Sequence, residues 1–269
     1  LFQYVGHPQA TDVVVVMGSG AQVLEELMDY YGPSKRVGIL KVHLFRPWST
    51  QHFLAQLPST VKRIAVLDRC KEHGVGEPLY TDVCATMQPH AGVRIIGGRY
   101  GLASKDFTTG MAHAIFVNLA ASKPKHPFTV GIVDDVTNLS LEYTEMSTVP
   151  GGTVQCMLFG FGSDGTVGAN KNAIKLISKE TGLYTQGHFA YDALKAGGVT
   201  CSHLRFGPKP IKASYEITAG CSYLAVHKKE YLSNYSVESI FGALEEGGVF
   251  VLNSPWTSAE LLRENLKLE

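Results

Sequence analysis

Apolar and polar residues follow two alternating rhythms along this chain. Residues 13–17 (Val13-Val14-Val15-Val16-Met17) are an unbroken run that suits a parallel strand buried on both faces. Gly18-Ser19-Gly20 follows, and then Ala21, Leu24, Leu27, Met28 and Tyr31 fall on one helical stripe with Glu25, Glu26 and Asp29 turned outward. The same unit recurs. Strands are predicted at 37–44, 63–67 and 93–96, and helices at 51–57, 78–87 and 108–121. Strands alternating with helices over residues 10–122 imply a mostly parallel sheet covered on both faces.

Residues 123–152 carry Pro124 and Pro127 among polar residues and lack a sustained helical period, so they read as an extended connector; residues 128–133 alternate weakly and could add a strand. The strand rhythm returns at 154–159. A helix is expected at 169–179, burying Ala173, Ile174, Leu176 and Ile177. Strands follow at 182–191, 199–206, 223–227 and 248–253, with helices at 237–244 and from Ser258 onward. The fold class expected is α/β in two domains, with a connector at 123–152 and a second α/β domain at 153–269.

Composition narrows the function. The chain has 269 residues, 45% hydrophobic and 18% charged, which suits two soluble domains. Lys+Arg and Asp+Glu are equal at 24, so no net field draws the chain to nucleic acid or an anionic membrane. No apolar run is long enough to span a bilayer, and no export signal opens the sequence. The five cysteines show no CxxC spacing, which argues against a disulfide framework, a zinc ribbon or an iron–sulfur cluster and for a reducing compartment. A first residue other than Met and an end inside a predicted helix suggest a piece of a longer polypeptide, its second domain cut short.

Three places carry candidate chemistry. Gly18-Ser19-Gly20 could cradle a phosphate or simply make a tight turn, and Arg46, Asp68, Arg69 and Lys71 lie at strand ends, as ligand groups or as salt bridges. The second place is stronger. Gly160-Phe161-Gly162-Ser163-Asp164-Gly165 satisfies GxGxxG between a strand and a helix, and Thr166, Asn170 and Lys171 follow. Glycines let amides turn inward, Ser163 and Thr166 add hydroxyls, and Lys171 in the first turn opposes the helix dipole unless an anion is near. Lys175 and Lys179 read as a solvated face. A dinucleotide site would need an acidic residue about twenty positions on, and Asp192 is a late candidate. The third place is the strand at 199–206, whose alternation puts Cys201, His203 and Arg205 on one face, for anion recognition or, in the case of Arg205, for pairing with Asp192 or Glu216.

Nine separated blocks resemble the pyruvate:ferredoxin oxidoreductase family, including its NADP-linked members. They are residues 1–6 (LFQYVG), 41–47 (KVHLFRP), 66–72 (VLDRCKE), 77–84 (EPLYTDVC), 98–105 (GRYGLASK), 128–136 (FTVGIVDDV), 160–171, 202–207 and 251–256. The resemblance implies a transketolase C-terminal-like three-layer domain at 1–122 and a coenzyme-A-binding domain of the oxidoreductase gamma type at 153–269. It makes Gly162, Ser163, Asp164, Gly165, Thr166, Asn170, Lys171, Lys195 and Arg205 candidates for meeting coenzyme A, with no catalytic or metal-binding residue in this stretch. It also implies a parent enzyme that converts pyruvate and coenzyme A to acetyl-CoA and CO2, using thiamine diphosphate, magnesium and 4Fe-4S clusters held elsewhere. Implied partners are the remaining parent domains, a second copy of the parent, and ferredoxin, flavodoxin or a fused NADP reductase. The implied location is the cytoplasm or the matrix of a mitochondrion-related organelle.

The family's GDG…N thiamine motif is missing here, and EHGVG at 72–76 replaces a proline-bearing loop. The chain by itself is therefore expected to be inactive. Two alternatives stay open: an NAD(P)-dependent dehydrogenase domain using the glycine loop and Asp192, and a non-catalytic architectural module of a sulfite reductase type flavoprotein.

Overall fold

A computed structural model describes residues 1–132, 135–191 and 198–266. The chain divides into two compact units, residues 1–148 with Lys212–Ser214, and residues 149–211 with 215–269.

The first unit contains β1 (Phe2–Gly6), β2 (Asp12–Met17), α1 (Gly20–Tyr31), β3 (Val37–Val42), α2 (Thr50–Gln56), β4 (Arg63–Asp68), α3 (Pro78–Met87), β5 (Arg94–Arg99), α4 (Thr109–Ala120) and β6 (Phe128–Thr129). Its sheet runs β1-β3-β2-β4-β5-β6, parallel throughout except for β1, which lies antiparallel on β3. The expectation of a mostly parallel, doubly covered sheet holds, with an antiparallel edge that the helix-strand rhythm does not reveal. Val13 and Val15 of β2 face Phe53 of α2 and Leu79, Val83 and Met87 of α3. Val14 and Val16 point the other way and are also fully buried. On that second face α1 meets α4, where the Tyr31 hydroxyl and His113 Nδ1 are 2.5 Å apart.

Residues 123–148, read from the sequence as connector, belong to the first unit. Side chains tie them down. Asn118 bonds both the amide and the carbonyl of Lys125, Thr109 donates to the Met146 carbonyl, and the Thr148 hydroxyl donates to the buried Glu26 carboxylate.

The second unit contains β7 (Val154–Phe161), α5 (Thr166–Thr181), β8 (Tyr184–Tyr191), β9 (Val199–Gly207), β10 (Cys221–Val226), α6 (Glu230–Asn234), α7 (Val237–Phe241), β11 (Leu244–Leu252) and α8 (Ala259–Leu266). Its mixed sheet runs β11-β10-β7-β9-β8, with β7, β10 and β11 parallel and β9 antiparallel to both β7 and β8. Met157, Phe159 and Cys201 turn to the main core, where Tyr231 and Ile240 of α6 and α7 cover them. The opposite face, with Gly160, Thr200 and Ser202, lies under α5.

Two expectations for this unit need correction, and one short helix has no counterpart among them. The helix expected at 237–244 ends at Phe241, because Leu244 already pairs with Cys221; Gly247, at φ 80°, absorbs the register shift before Tyr223 meets Val249. Helix α6 carries no amphipathic period long enough to be seen. On α5, Leu176 is 58% exposed and Ala173 is exposed, while Thr166 and Asn170 are buried. The first turns of the helix bury Thr166 and Asn170 above strand positions that include Gly160, Thr200 and Ser202, and Ile174 and Ile177 further along are only half-buried.

Candidate functional site

In an open α/β sheet, ligands gather outside the carboxyl ends of parallel strands, where successive connections leave toward opposite faces. The second unit has one such place. After β7 the chain enters α5 on one face, and after β10 it enters α6 on the other, where Tyr231 packs on Phe159 and Phe161. The crevice between β7 and β10 is where residues 160–166 turn.

Side chains within the loop set its shape. The Asp164 carboxylate accepts from the amides of Phe161 and Thr166, each at 2.8 Å. Burial alone would raise its pKa, but those two amides, the Thr166 hydroxyl and the charge of His227 together lower it. Gly160 must lack a side chain, since a Cβ there would meet Thr166 Oγ1 at 2.5 Å and Asp164 Oδ2 at 2.8 Å. Ser163 adopts φ 72° and Gly165 φ 90°, so the loop takes two successive left-handed steps in three residues. Thr166 Oγ1 lies 2.8 Å from His227 Nδ1, and the Asn253 amide nitrogen donates to the His227 carbonyl at 3.1 Å. His227 and Asn253 therefore close the other side of the crevice. In the sequence both residues are marked only by their place at the end of an expected strand, Asn253 at that of 248–253 and His227 at that of 223–227.

A helix start leaves orphan amides. Here Asp164 takes that of Thr166 and the Gly165 carbonyl takes that of Ala169. The amides of Gly165, Val167 and Gly168 have no protein acceptor among the described residues. A Cβ at Gly165 or Gly168 would meet no atom within 4 Å, so the space beside these two glycines is open. Asn170 is 3% exposed one turn further on, and its buried Nδ2 has no hydrogen-bond partner among the described residues.

The candidates named from the sequence divide into three groups. Gly162, Ser163, Asp164, Gly165, Thr166 and Asn170 come together at the loop and the first turns of α5. Lys171 is one residue beyond, but its ammonium lies over the Phe189 ring of β8, 5.2 Å from the centroid. Lys195 and Asp192 fall outside the described residues.

Arg205 is not brought to the loop. The ladder sets Arg205 opposite Gln155 and Val199 opposite Phe161, which separates the two places by about 20 Å of strand. Its guanidinium, 1% exposed, donates to Gln155 Oε1, Gln186 Oε1 and the Tyr215 carbonyl and stacks on the Tyr215 ring. His203 beside it accepts from the Ile217 amide. Burial, then the neighbouring His188 and Arg205, lower the His203 pKa to about 3. This pair holds residues 215–217 against the sheet.

The first unit has its own crevice of about 410 Å³ at the carboxyl ends of β2 and β4, lined by Gly18, Ser19, Asp68, Arg69 and Tyr100 among others. Its polar groups are engaged in structure. Asp68 accepts from the amides of Leu79 and Tyr80 at the start of α3, Arg69 donates to the Gly101 carbonyl, and Arg46 pairs with Asp82. Burial raises the pKa of Asp68 against the pull of those amides.

Cys156, Cys201 and Cys221 are buried, and burial raises the pKa of each. No three His, Cys, Asp or Glu side chains among the described residues are grouped to hold a metal. No described helix is long and apolar enough to cross a membrane.

Residues 10–109 match the family model for pyruvate:ferredoxin oxidoreductase core domain II, and residues 155–268 match that for pyruvate ferredoxin/flavodoxin oxidoreductase. A pyruvate:ferredoxin oxidoreductase of Moorella thermoacetica is 51% identical over 97% of this chain and 22% of its own length. A mitochondrial NADP-linked pyruvate dehydrogenase of Euglena gracilis is 51% identical over 98% of this chain and 15% of its own. The chain thus spans a quarter or less of the relatives it matches. A solved pyruvate oxidoreductase subunit of Thermotoga maritima aligns at 20% identity and TM-score 0.35, over 43% of this chain and 57% of that one. The chain belongs to the pyruvate ferredoxin/flavodoxin oxidoreductase family, carrying its core domain II in the first unit and, in the second, the domain that includes the glycine loop.

Proposed function

We propose that this chain is the part of a pyruvate oxidoreductase that receives coenzyme A, the second unit binding its phosphates at residues 160–168 and the first unit serving as scaffold. The observation that carries this reading is the set of amides at Gly165, Val167 and Gly168 that have no acceptor among the described residues, with open space beside the two glycines, at the switch point between β7 and β10. An anion there completes the hydrogen bonding of the helix start.

In the whole enzyme, as the family resemblance implies, pyruvate and coenzyme A become acetyl-CoA and CO2, and the names of the relatives give ferredoxin, flavodoxin or NADP as the electron acceptor. Thiamine diphosphate and the iron–sulfur clusters belong to regions outside this chain, and the chain alone is expected not to turn over pyruvate. Lys195 remains a candidate contact. Arg205 serves the reading only indirectly, by holding the sheet.

Gly168 gives the direct test. A side chain there meets no protein atom, and a carboxylate near a helix start is stabilising. Gly168→Asp should therefore melt no lower than wild type while losing coenzyme A binding in calorimetric titration. Equal binding by the variant would remove the loop from the site. Binding of NAD(P) in preference to coenzyme A would favour the dehydrogenase reading, and a folded chain that binds neither would favour the architectural one.

A further inference from the structure

The sheet of the first unit has a switch point of its own. Its inner strands run β3-β2-β4-β5, and at the middle pair the connections part, β2 leading into α1 on one face and β4 into α3 on the other. The crevice of about 410 Å³ lies at the carboxyl ends of that pair, and its volume suits a small molecule. Structure engages the polar groups there without exhausting them. Asp68, 2% exposed, has both oxygens on the amides of Leu79 and Tyr80, and Glu77 is taken by Arg99. Arg69 gives only Nε, to the Gly101 carbonyl at 3.0 Å, and its two Nη nitrogens have no partner among the described residues. That bond fixes the guanidinium, and Gly101 must lack a side chain for it, since a Cβ there would meet Arg69 Nε at 2.8 Å. Ser19, at the N-cap of α1, has a hydroxyl that caps no amide. The space beside Gly18, which precedes it, is open, with no atom of the described residues within 4 Å of a Cβ. The remaining walls include the apolar side chains of Met17, Phe45, Leu67 and Pro78.

We propose that this crevice is a second ligand site of the chain, taking a small monocarboxylate on an apolar body. A guanidinium held through Nε presents its two Nη nitrogens as a fork, which matches the two oxygens of a carboxylate. The Ser19 hydroxyl adds a donor at the rim, and the body of the ligand rests against Met17, Phe45, Leu67 and Pro78. Charge decides between carboxylate and phosphate. One cation beside the buried Asp68 suits a ligand of single negative charge, whereas a phosphate monoester carries about −1.5 to −2 near neutral pH. The site is independent of the coenzyme A reading, whose loop belongs to the other unit.

3-Phenylpropionate serves as the probe, with 3-phenylpropanamide as its uncharged counterpart and phenyl phosphate as a dianion. In the 269-residue chain labelled at its methionine methyl groups, the acid should shift the nuclear magnetic resonance signal of Met17 and leave that of Met157, in the core of the second unit, in place. The amide should bind about tenfold more weakly, as loss of hydrogen bonds between charged groups implies. Arg69→Gln should weaken the acid to a similar degree. Ser19→Asp should melt no lower than wild type, because a carboxylate suits an N-cap, and should repel the acid. Should Arg69→Gln fail to fold, Ser19→Asp and the comparison of acid with amide carry the test. A Met17 signal that stays in place at the highest soluble concentration of the acid overturns the proposal, as does equal binding of acid and amide, or equal binding by wild type and Ser19→Asp. Phenyl phosphate binding more tightly than the acid overturns the choice of a monocarboxylate.

Discussion

Gly160, the last residue but one of β7, lies directly beneath Thr166, so closely that a Cβ on the glycine would sit 2.5 Å from the threonine hydroxyl oxygen. This contact lets the chain turn from strand into α5 within a few residues. It also accounts for the first glycine of the GxGxxG motif without reference to any ligand. Gly165 and Gly168 are different, since no atom of the described residues lies within 4 Å of a Cβ at either.

Gly160→Ala should therefore act as an overpacking change at the root of the loop. The expected cost is about 1–3 kcal/mol in denaturant unfolding. Coenzyme A binding should fall with it, because Thr166 and Asp164 are displaced together. A variant as stable as wild type would show that the loop has slack the geometry does not suggest.

Arg205→Ala is expected to cost about 3 kcal/mol or more, because Gln155, Gln186 and the Tyr215 carbonyl lose a buried charged donor. Below the melting temperature it should leave coenzyme A affinity unchanged, given the strand length between Arg205 and the loop. A loss of affinity in a folded sample would return Arg205 to the ligand site.

His203 makes the second unit acid-sensitive. Its pKa falls from 6.5 to about 3 on folding, chiefly through burial, so between these values the unfolded chain binds the extra proton and the folded chain does not. Stability from this group is fully present above pH 6.5 and is lost as pH falls toward 3, on the order of 3–5 kcal/mol in all. His203→Asn keeps an acceptor for the Ile217 amide and has nothing to titrate, so its unfolding free energy should vary less over that window.

Glu26, 4% exposed, accepts from the Thr148 hydroxyl with one oxygen and from the Ala213 amide with the other. Both donors come from segments far away in sequence. Glu26→Ala leaves them buried without this acceptor and should cost about 2–3 kcal/mol. Hydrogen exchange should rise at the Ala213 amide and along residues 139–148, which lie on the first unit. Unchanged exchange there would mean that the apolar contacts hold the segment unaided.

Much of this protein was legible in its sequence. Runs such as Val13-Val14-Val15-Val16 and the stripe Ala21, Leu24, Leu27 and Met28 place strands and helices, because burial on two faces or one leaves a period that needs no partner to be seen. The glycine loop was legible for the same reason, as residues contiguous in the chain between a strand and a helix. Tertiary structure alone decided which distant groups meet. Only the register of β9 on β7 carries Arg205 away from the loop, and only the parallel pairing of β10 with β7 brings His227 to Thr166. The antiparallel placement of β1 and the attachment of residues 123–148 to the first unit were settled likewise. Periodicity reports which face of an element is buried; which element lies beside it depends on strand order and on single long-range contacts, and these leave no repeat in the sequence.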